Sequence, residues 1–172
     1  MLSRRASRDS LLIVLAVAGQ RYALSAQQVI EVLPWLPCQT VALAPESVVG
    51  VINHRGRVVP IVDLCRLLAA RDCPKWLASR IVVVAVGRNA ERVVGLLVEG
   101  CELSSANDAS LQPGLNLPDS PFLGDVLVDR ERMIPLLKPD QLLSEQVLDV
   151  LCGATTPTMP DLGHETPTPL TG

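Results

Sequence analysis

Aromatic side chains are nearly absent from this 172-residue chain: Tyr22, Trp35, Trp76 and Phe122 are all it has. Its core must therefore be assembled from Val, Leu, Ile and Ala, and the β-branched members of that set favour strands. Histidine is just as scarce, with His54 and His164 alone. That leaves no His-Glu-x-x-His zinc motif and no paired His-x-His. Glycines are scattered, so no phosphate-cradling loop forms, and no Gly-x-Ser-x-Gly elbow exists. Five cysteines occur, an odd number at wide spacings with no Cys-x-x-Cys pair, which argues against a zinc ribbon or a thioredoxin-type centre. They read as small buried hydrophobes in a reducing cytosol. A net charge of -3 gives no global pull toward nucleic acid. The apolar run at residues 11–19 is far shorter than the roughly 20 residues a membrane-spanning helix needs.

What is present is a hydrophobic content of 48% against 19% charged residues, well clear of the disordered class. The length suits one domain, or two small lobes sharing a core. The N-terminus mimics a secretory signal peptide, with Arg4, Arg5 and Arg8 ahead of the apolar run. Asp9 interrupts that basic region, and the run continues into its own hairpin partner at residues 21–24, so a strand is the expected reading. Residues 1–10 are expected to be a mobile arm, residues 11–152 the folded domain, and the Thr- and Pro-rich residues 153–172 a disordered tail.

Along the folded part, strands are expected at 11–17, 21–24 and 30–33, with Ser25 capping a helical turn between the last two. A proline-punctuated loop covers 34–45, and a helical turn 45–48. Residues 50–53 and 57–62 read as a hairpin with Arg55 and Gly56 at its tip. Asp63 is expected to cap a helix over 64–70. Residues 81–86 form a continuous apolar run, which implies a strand buried on both faces. Its partner is expected at 92–99, with Gly95 marking a bulge or a close backbone approach. Residues 103–121 read as a long polar loop, 122–128 and 132–137 as another hairpin. A C-terminal helix is expected from Lys138 to near Cys152, with Pro139 in its first turn. Eight to ten short strands, three brief helices and no βαβ crossover predict a mainly β protein built as one barrel or two.

Few residues invite a chemical role. A Cys–His nucleophile would have to recruit His54 with Cys65 or Cys101, and neither spacing favours it. His54 reads as a surface hairpin residue or part of a contact patch. Asp63 follows an apolar strand as a catalytic carboxylate might, but its position suits a helix cap better. Glu31 reads as the outward residue of an alternating strand, and spacing alone gives it no contact role. Two arginines, Arg55 and Arg57, flank Gly56. They fit a solvated turn and an interface equally, since Arg is the side chain of choice for bidentate carboxylate pairing. Bottom-up, the chain is a β-rich interaction module with no metal or cofactor site.

The stretch GVINHRGRVVPIVDL, residues 50–64, resembles the CheW-like domain family, whose pattern runs approximately G-x-x-N-x-R-G-x-x-x-P-[VI]-[VI]-D-L. Gly50, Asn53, Arg55, Gly56, Pro60, Asp63 and Leu64 all fall in place. Three further blocks resemble the family in order: the opening strands through Val29–Glu31–Val32, the hairpin RIVVVAV…RVVGLLVEG, and the closing hairpin with its terminal helix. Together they cover residues 11–151.

The resemblance implies two SH3-like five-stranded β-barrels sharing a hydrophobic core, with short helices and a C-terminal helix. It implies a non-catalytic cytoplasmic adaptor without cofactors, coupling chemoreceptors (methyl-accepting proteins) to a CheA-type histidine kinase. The partners implied are the kinase regulatory domain and the cytoplasmic hairpin tip of the receptors. Self-association in array rings is implied as well, with no nucleic acid and no membrane insertion. Carried over by position, Val29, Glu31, Asn53, Arg55, Gly56, Val94, Gly95 and Val98 are the expected coupling contacts. His54, Cys65 and the 71–80 loop with Pro74 and Trp76 depart from the flagellar members. They make a surface-sensing, Wsp-like pathway the alternative. No kinase core and no receiver-type acidic cluster accompanies the domain, so a stand-alone scaffold is expected. Pro60 removes an amide donor, so its strand must be an edge or be irregular there.

Overall fold

The computed structural model describes residues 11–87, 89–105, 110–114, 117–129 and 132–153. The expected arm at 1–10, the tail beyond Gly153 and His164 lie outside the described residues. The chain opens with β1 (Leu11–Val17), β2 (Gln20–Ser25), a 3-10 turn at Ala26–Gln28, and β3 (Val29–Pro34). The central hairpin is β4 (Val48–His54) and β5 (Arg57–Asp63), followed by α1 (Leu64–Ala69). Then come β6 (Arg80–Val86), β7 (Arg92–Val98), β8 (Gly100–Ser105) and β9 (Ser110–Gln112). The closing hairpin, β10 (Leu123–Asp129) and β11 (Arg132–Leu137), leads through a 3-10 turn at Pro139–Gln141 to α2 (Glu145–Gly153).

These strands make two sheets. One has five strands in the order β3-β6-β7-β5-β4, the other six in the order β8-β1-β2-β11-β10-β9. The mainly β, two-lobed architecture stands as expected, with one lobe a strand richer. The extra strands come from the region read as a loop. β8 pairs with β1 from Leu11↔Ser105 to Ala16↔Gly100, and β9 pairs with β10. β8 escapes sequence reading because GCELSS is an edge strand whose last four residues are exposed, so it shows no apolar alternation. β1, by contrast, is paired on both sides, so the signal-like run is an interior strand of its sheet.

The two sheets share one core. Ile13, Leu15, Val17 and Leu24 of the six-stranded sheet belong to the same buried cluster as Ile61, Ile81 and Leu96 of the other. Leu64 of α1 and Leu148 and Leu151 of α2 close it. A second, smaller cluster of Leu12, Ala23, Leu127 and Ile134 sits within the six-stranded sheet. β1 feeds both: Ile13 and Leu15 face the shared core and Leu12 the small one, as the two-residue period of a strand requires.

Local chemistry refines several expectations. Ser25 makes no side-chain cap bond, and Ala26–Gln28 is held as a single 3-10 turn. At 45–48 the chain makes a hydrogen-bonded turn, Val48 N–H donating to the Pro45 carbonyl at 2.8 Å, rather than a helix. The C-terminal helix begins at Glu145, not Lys138. Lys138, preceding a proline, is extended, and Pro139 permits one tight turn that buries Leu142 and Leu143 before α2 starts. Pro60 lies in an interior strand, opposite Val51. Val51 turns both its backbone groups to Gln39, at 2.8 and 2.9 Å, so Pro60 needs no bond to β4. The ladder to β7 begins only at Ile61. The missing amide therefore costs no sheet bond, and the strand is locally an edge at Pro60.

Gly95 is a close approach and not a bulge, since the β6–β7 register runs unbroken from Arg80↔Val98 to Val86↔Arg92. A Cβ there would lie 2.4 Å from Ile61 Cδ1 and 2.8 Å from Ile81 Cγ2. Gly95→Ala is expected to destabilise the protein by about 1–3 kcal/mol, the usual cost of overpacking a core. Denaturant unfolding monitored by circular dichroism checks this, and an unchanged midpoint would contradict it.

Candidate functional site

The 50–64 stretch folds as the motif demands. β4 and β5 pair from Val48↔Val62 to His54↔Arg57, leaving Arg55 and Gly56 as the two tip residues. Both take positive φ, 53° and 80°. That is the type I′ turn whose twist matches a right-twisted ribbon. Gly56 accepts this freely, whereas Arg55 holds it at a cost of about 1–2 kcal/mol. Asn53 offsets part of that cost: its Oδ1 accepts the Gly56 N–H at 2.9 Å and locks the turn.

Glu31 joins this tip from the other side of its sheet. β3 and β4 are opposite edges of the five-stranded sheet. Yet Glu31 Oε2 lies 2.8 Å from His54 Nε2 and 3.0 Å from Arg55 Nη2. The sheet thus curls until its two edges meet, in the manner of a small barrel. Glu31 is half-buried between the exposed Ile30 and Val32, so it is not the outward member of its strand. The β3–β6 register slips between Val29 and Glu31. That irregularity sets which of these residues faces the tip. Arg55 remains 74% exposed despite its carboxylate partner. Ile30 and Val32, which flank Glu31 in β3, and Val58 of β5, paired with Asn53, are each more than a third exposed. The tip thus holds a restrained cation, and the strands that meet there carry exposed apolar side chains.

Of the expected contact residues, the structure brings together Glu31, Asn53, Arg55 and Gly56, with half-buried Val29 two positions from Glu31. Val94, Gly95 and Val98 lie elsewhere. They belong to β7, the middle strand of its sheet, and Val94 and Val98 are 3% and 0% exposed. The Val94 and Val98 side chains belong to the shared core. His54 was the member no motif assigned. Its 14% exposed ring closes the gap between the two sheet edges.

Asp63, 3% exposed, is the N-cap as expected. Its Oδ1 accepts the Arg66 N–H at 3.0 Å, and its Oδ2 accepts the Cys73 N–H at 2.9 Å. Both carboxylate oxygens are thereby spent on backbone donors. Burial also disfavours the thiolate at every cysteine. Burial pushes Cys38, Cys65, Cys73, Cys101 and Cys152 all above the ordinary thiol range. No helix among the described residues is long and apolar enough to cross a membrane.

Fold and site together define a β-barrel docking module. Residues 11–147 match the family model of the CheW-like domain, and the chain belongs to that family. It is 30% identical over 141 residues to a probable chemotaxis protein CheW of Rhizobium etli, covering 80% of this chain and 89% of the relative. It is 32% identical over 139 residues to the chemotaxis protein CheW of Rhizobium meliloti, covering 78% and 88%. Its fold resembles the crystal structure of the scaffolding protein TtCheW from Thermoanaerobacter tengcongensis. That likeness has a TM-score of 0.71 at 22% identity and covers 84% of this chain and 94% of that one. The family places the chain among chemotaxis scaffolds.

Two outcomes follow from this geometry. With Arg55 three-quarters exposed, its pair with Glu31 is screened by solvent. Arg55→Ala is therefore expected to change unfolding free energy by no more than about 1 kcal/mol, measured by urea titration. The raised thiols carry less thiolate at any given pH, and thiolate is the reacting form. Native protein at pH 8 is expected to react slowly with a chromogenic disulfide reagent, and all five thiols to react promptly in denaturant. Fast reaction of a single native thiol would contradict this.

Proposed function

We propose that this chain is a non-catalytic cytoplasmic adaptor that couples chemoreceptors to a CheA-type histidine kinase in a chemosensory array. The observation that carries this reading is the hairpin tip. Arg55 is fixed by a type I′ turn and by Glu31 and stays exposed, and the strands that meet at the tip carry the exposed apolar Ile30, Val32 and Val58. A helical partner that offers apolar and acidic side chains would match this tip. Apolar contact supplies affinity and the fixed cation sets register, which is what such a dock requires. The names of the relatives, chemotaxis and scaffolding proteins, support the same reading. A cysteine-dependent hydrolase finds no support, because burial raises every thiol and His54 is committed to Glu31.

The test is a pull-down of wild type and Arg55→Glu against receptor cytoplasmic fragments and CheA-type kinases of the source organism, flagellar and surface-sensing sets alike. Wild type is expected to retain both classes of partner. The variant is expected to lose receptor at least tenfold while keeping kinase. The receptor retained identifies the pathway. Retention of neither partner by wild type would overturn the coupling role while leaving the fold intact.

A further inference from the structure

We propose that Cys65 and Cys73 are an oxidisable dithiol, a modification site that a hydroperoxide converts to a disulfide bracing the loop at residues 71–79 against α1. Cys65 is the second residue of α1, and Cys73 lies in the loop that follows. The Sγ atoms of both and a carboxylate oxygen of Asp63 all lie within 4.8 Å of one another. The juxtaposition is built, not incidental. Asp63 caps α1 through Arg66 N–H and with its second oxygen draws in the Cys73 N–H at 2.9 Å. Arg66 Nε adds a 2.7 Å bond to Asp72. The loop is thus tied down at Asp72 and at Cys73 itself.

The same three groups could be read as metal ligands, and the chemistry favours the disulfide. Both Asp63 oxygens already accept backbone N–H groups, and the cluster supplies three ligands where a closed zinc site takes four. A disulfide needs two sulfurs, not four ligands, and the two already lie within 4.8 Å of each other.

The reaction balances with one hydroperoxide per bond. One thiolate attacks the terminal peroxide oxygen, giving a sulfenic acid and releasing the alcohol. The second thiol then attacks that sulfur and expels water. Two thiols are oxidised by two electrons, the O–O bond is broken, and the S–S bond is formed. Both cysteines are buried, at 0% and 2% exposure, whereas Arg71, Asp72 and residues 75–78 around Cys73 are exposed. Oxidant therefore enters by local opening of this loop, and the reaction is slow. What the bond would fix is a loop carrying Trp76 and Leu77, 70% and 96% exposed.

The full chain is treated with tert-butyl hydroperoxide, alkylated in denaturant and mapped by peptide mass spectrometry. Two of the five thiols are expected to disappear with a mass loss of two hydrogen atoms. The linked peptides are expected to be those of Cys65 and Cys73, and a thiol reductant to restore both. The Cys38→Ser variant should oxidise like wild type, and Cys73→Ser should form no intramolecular bond. Wild-type mapping stands even if Cys73→Ser folds poorly. Pairing that involves Cys38, Cys101 or Cys152, oxidation to sulfinic acid without a cross-link, or no thiol loss would each overturn the proposal. So would protection of both thiols by stoichiometric zinc before oxidant is added, which would mark a metal site.

Discussion

The missing side chain at Gly95 is the constraint on which the rest depends. It sits in the middle of the central strand, with Ile61 of β5 and Ile81 of β6 closing over the space a Cβ would occupy. Those isoleucines are fully buried and reach toward each other across β7. Sheets twist intrinsically, and they curl further where the inner face is short of bulk. With a glycine at its centre, the five-stranded sheet bends until β3 and β4, its two edges, come within hydrogen-bonding distance through Glu31 and His54. The geometry of the tip therefore begins as a packing event in the core, and Gly95 bears on it by shaping the sheet.

A docking surface gains from rigidity, because each side chain ordered on binding subtracts from affinity. Arginine is a costly residue to order, with several rotatable bonds. Here part of that ordering is done in advance. The turn fixes the Arg55 backbone, Asn53 locks the turn, and Glu31 restrains the guanidinium. Because the pair is mostly in water, it stabilises the fold little and can exchange partners at little cost. A half-buried carboxylate thus restrains the Arg55 cation without removing it from water.

Local chemistry made much of this legible in the amino acids. The hairpin tip was marked by Arg55-Gly56, the helix start by Asp63, and the buried pair of strands by unbroken valine-rich runs. Each of those signals is contained within a few residues. The parts that were not legible depend on partners far along the chain. β8 is polar and takes its register wholly from β1, some ninety residues earlier. The break before α2 is decided by burial of Leu142 and Leu143 in a core built by other elements. The Glu31–His54 contact joins opposite edges of a curled sheet, and no periodicity encodes curl. Position-by-position carry-over put Val94 and Val98 at a surface, yet the run RVVGLLV carries the same sign of two-sided burial that correctly described residues 81–86.

Asp63 shows how one motif residue can serve two elements. As an N-cap it needs only one oxygen, and a cap alone would tolerate Ser, Thr or Asn. Its second oxygen holds the Cys73 amide, and its own N–H donates to Ser47 at 2.7 Å. The loop before β4, the start of α1 and the loop after it are thus joined at a single buried residue. Serine or threonine would lose the second bond, and asparagine would turn a donor toward an amide that itself donates. The motif carries Asp near its end for a reason that lies partly outside it: the carboxylate fixes the hairpin's far end to the loop carrying Trp76, and so couples the placement of two exposed surfaces through one interior group.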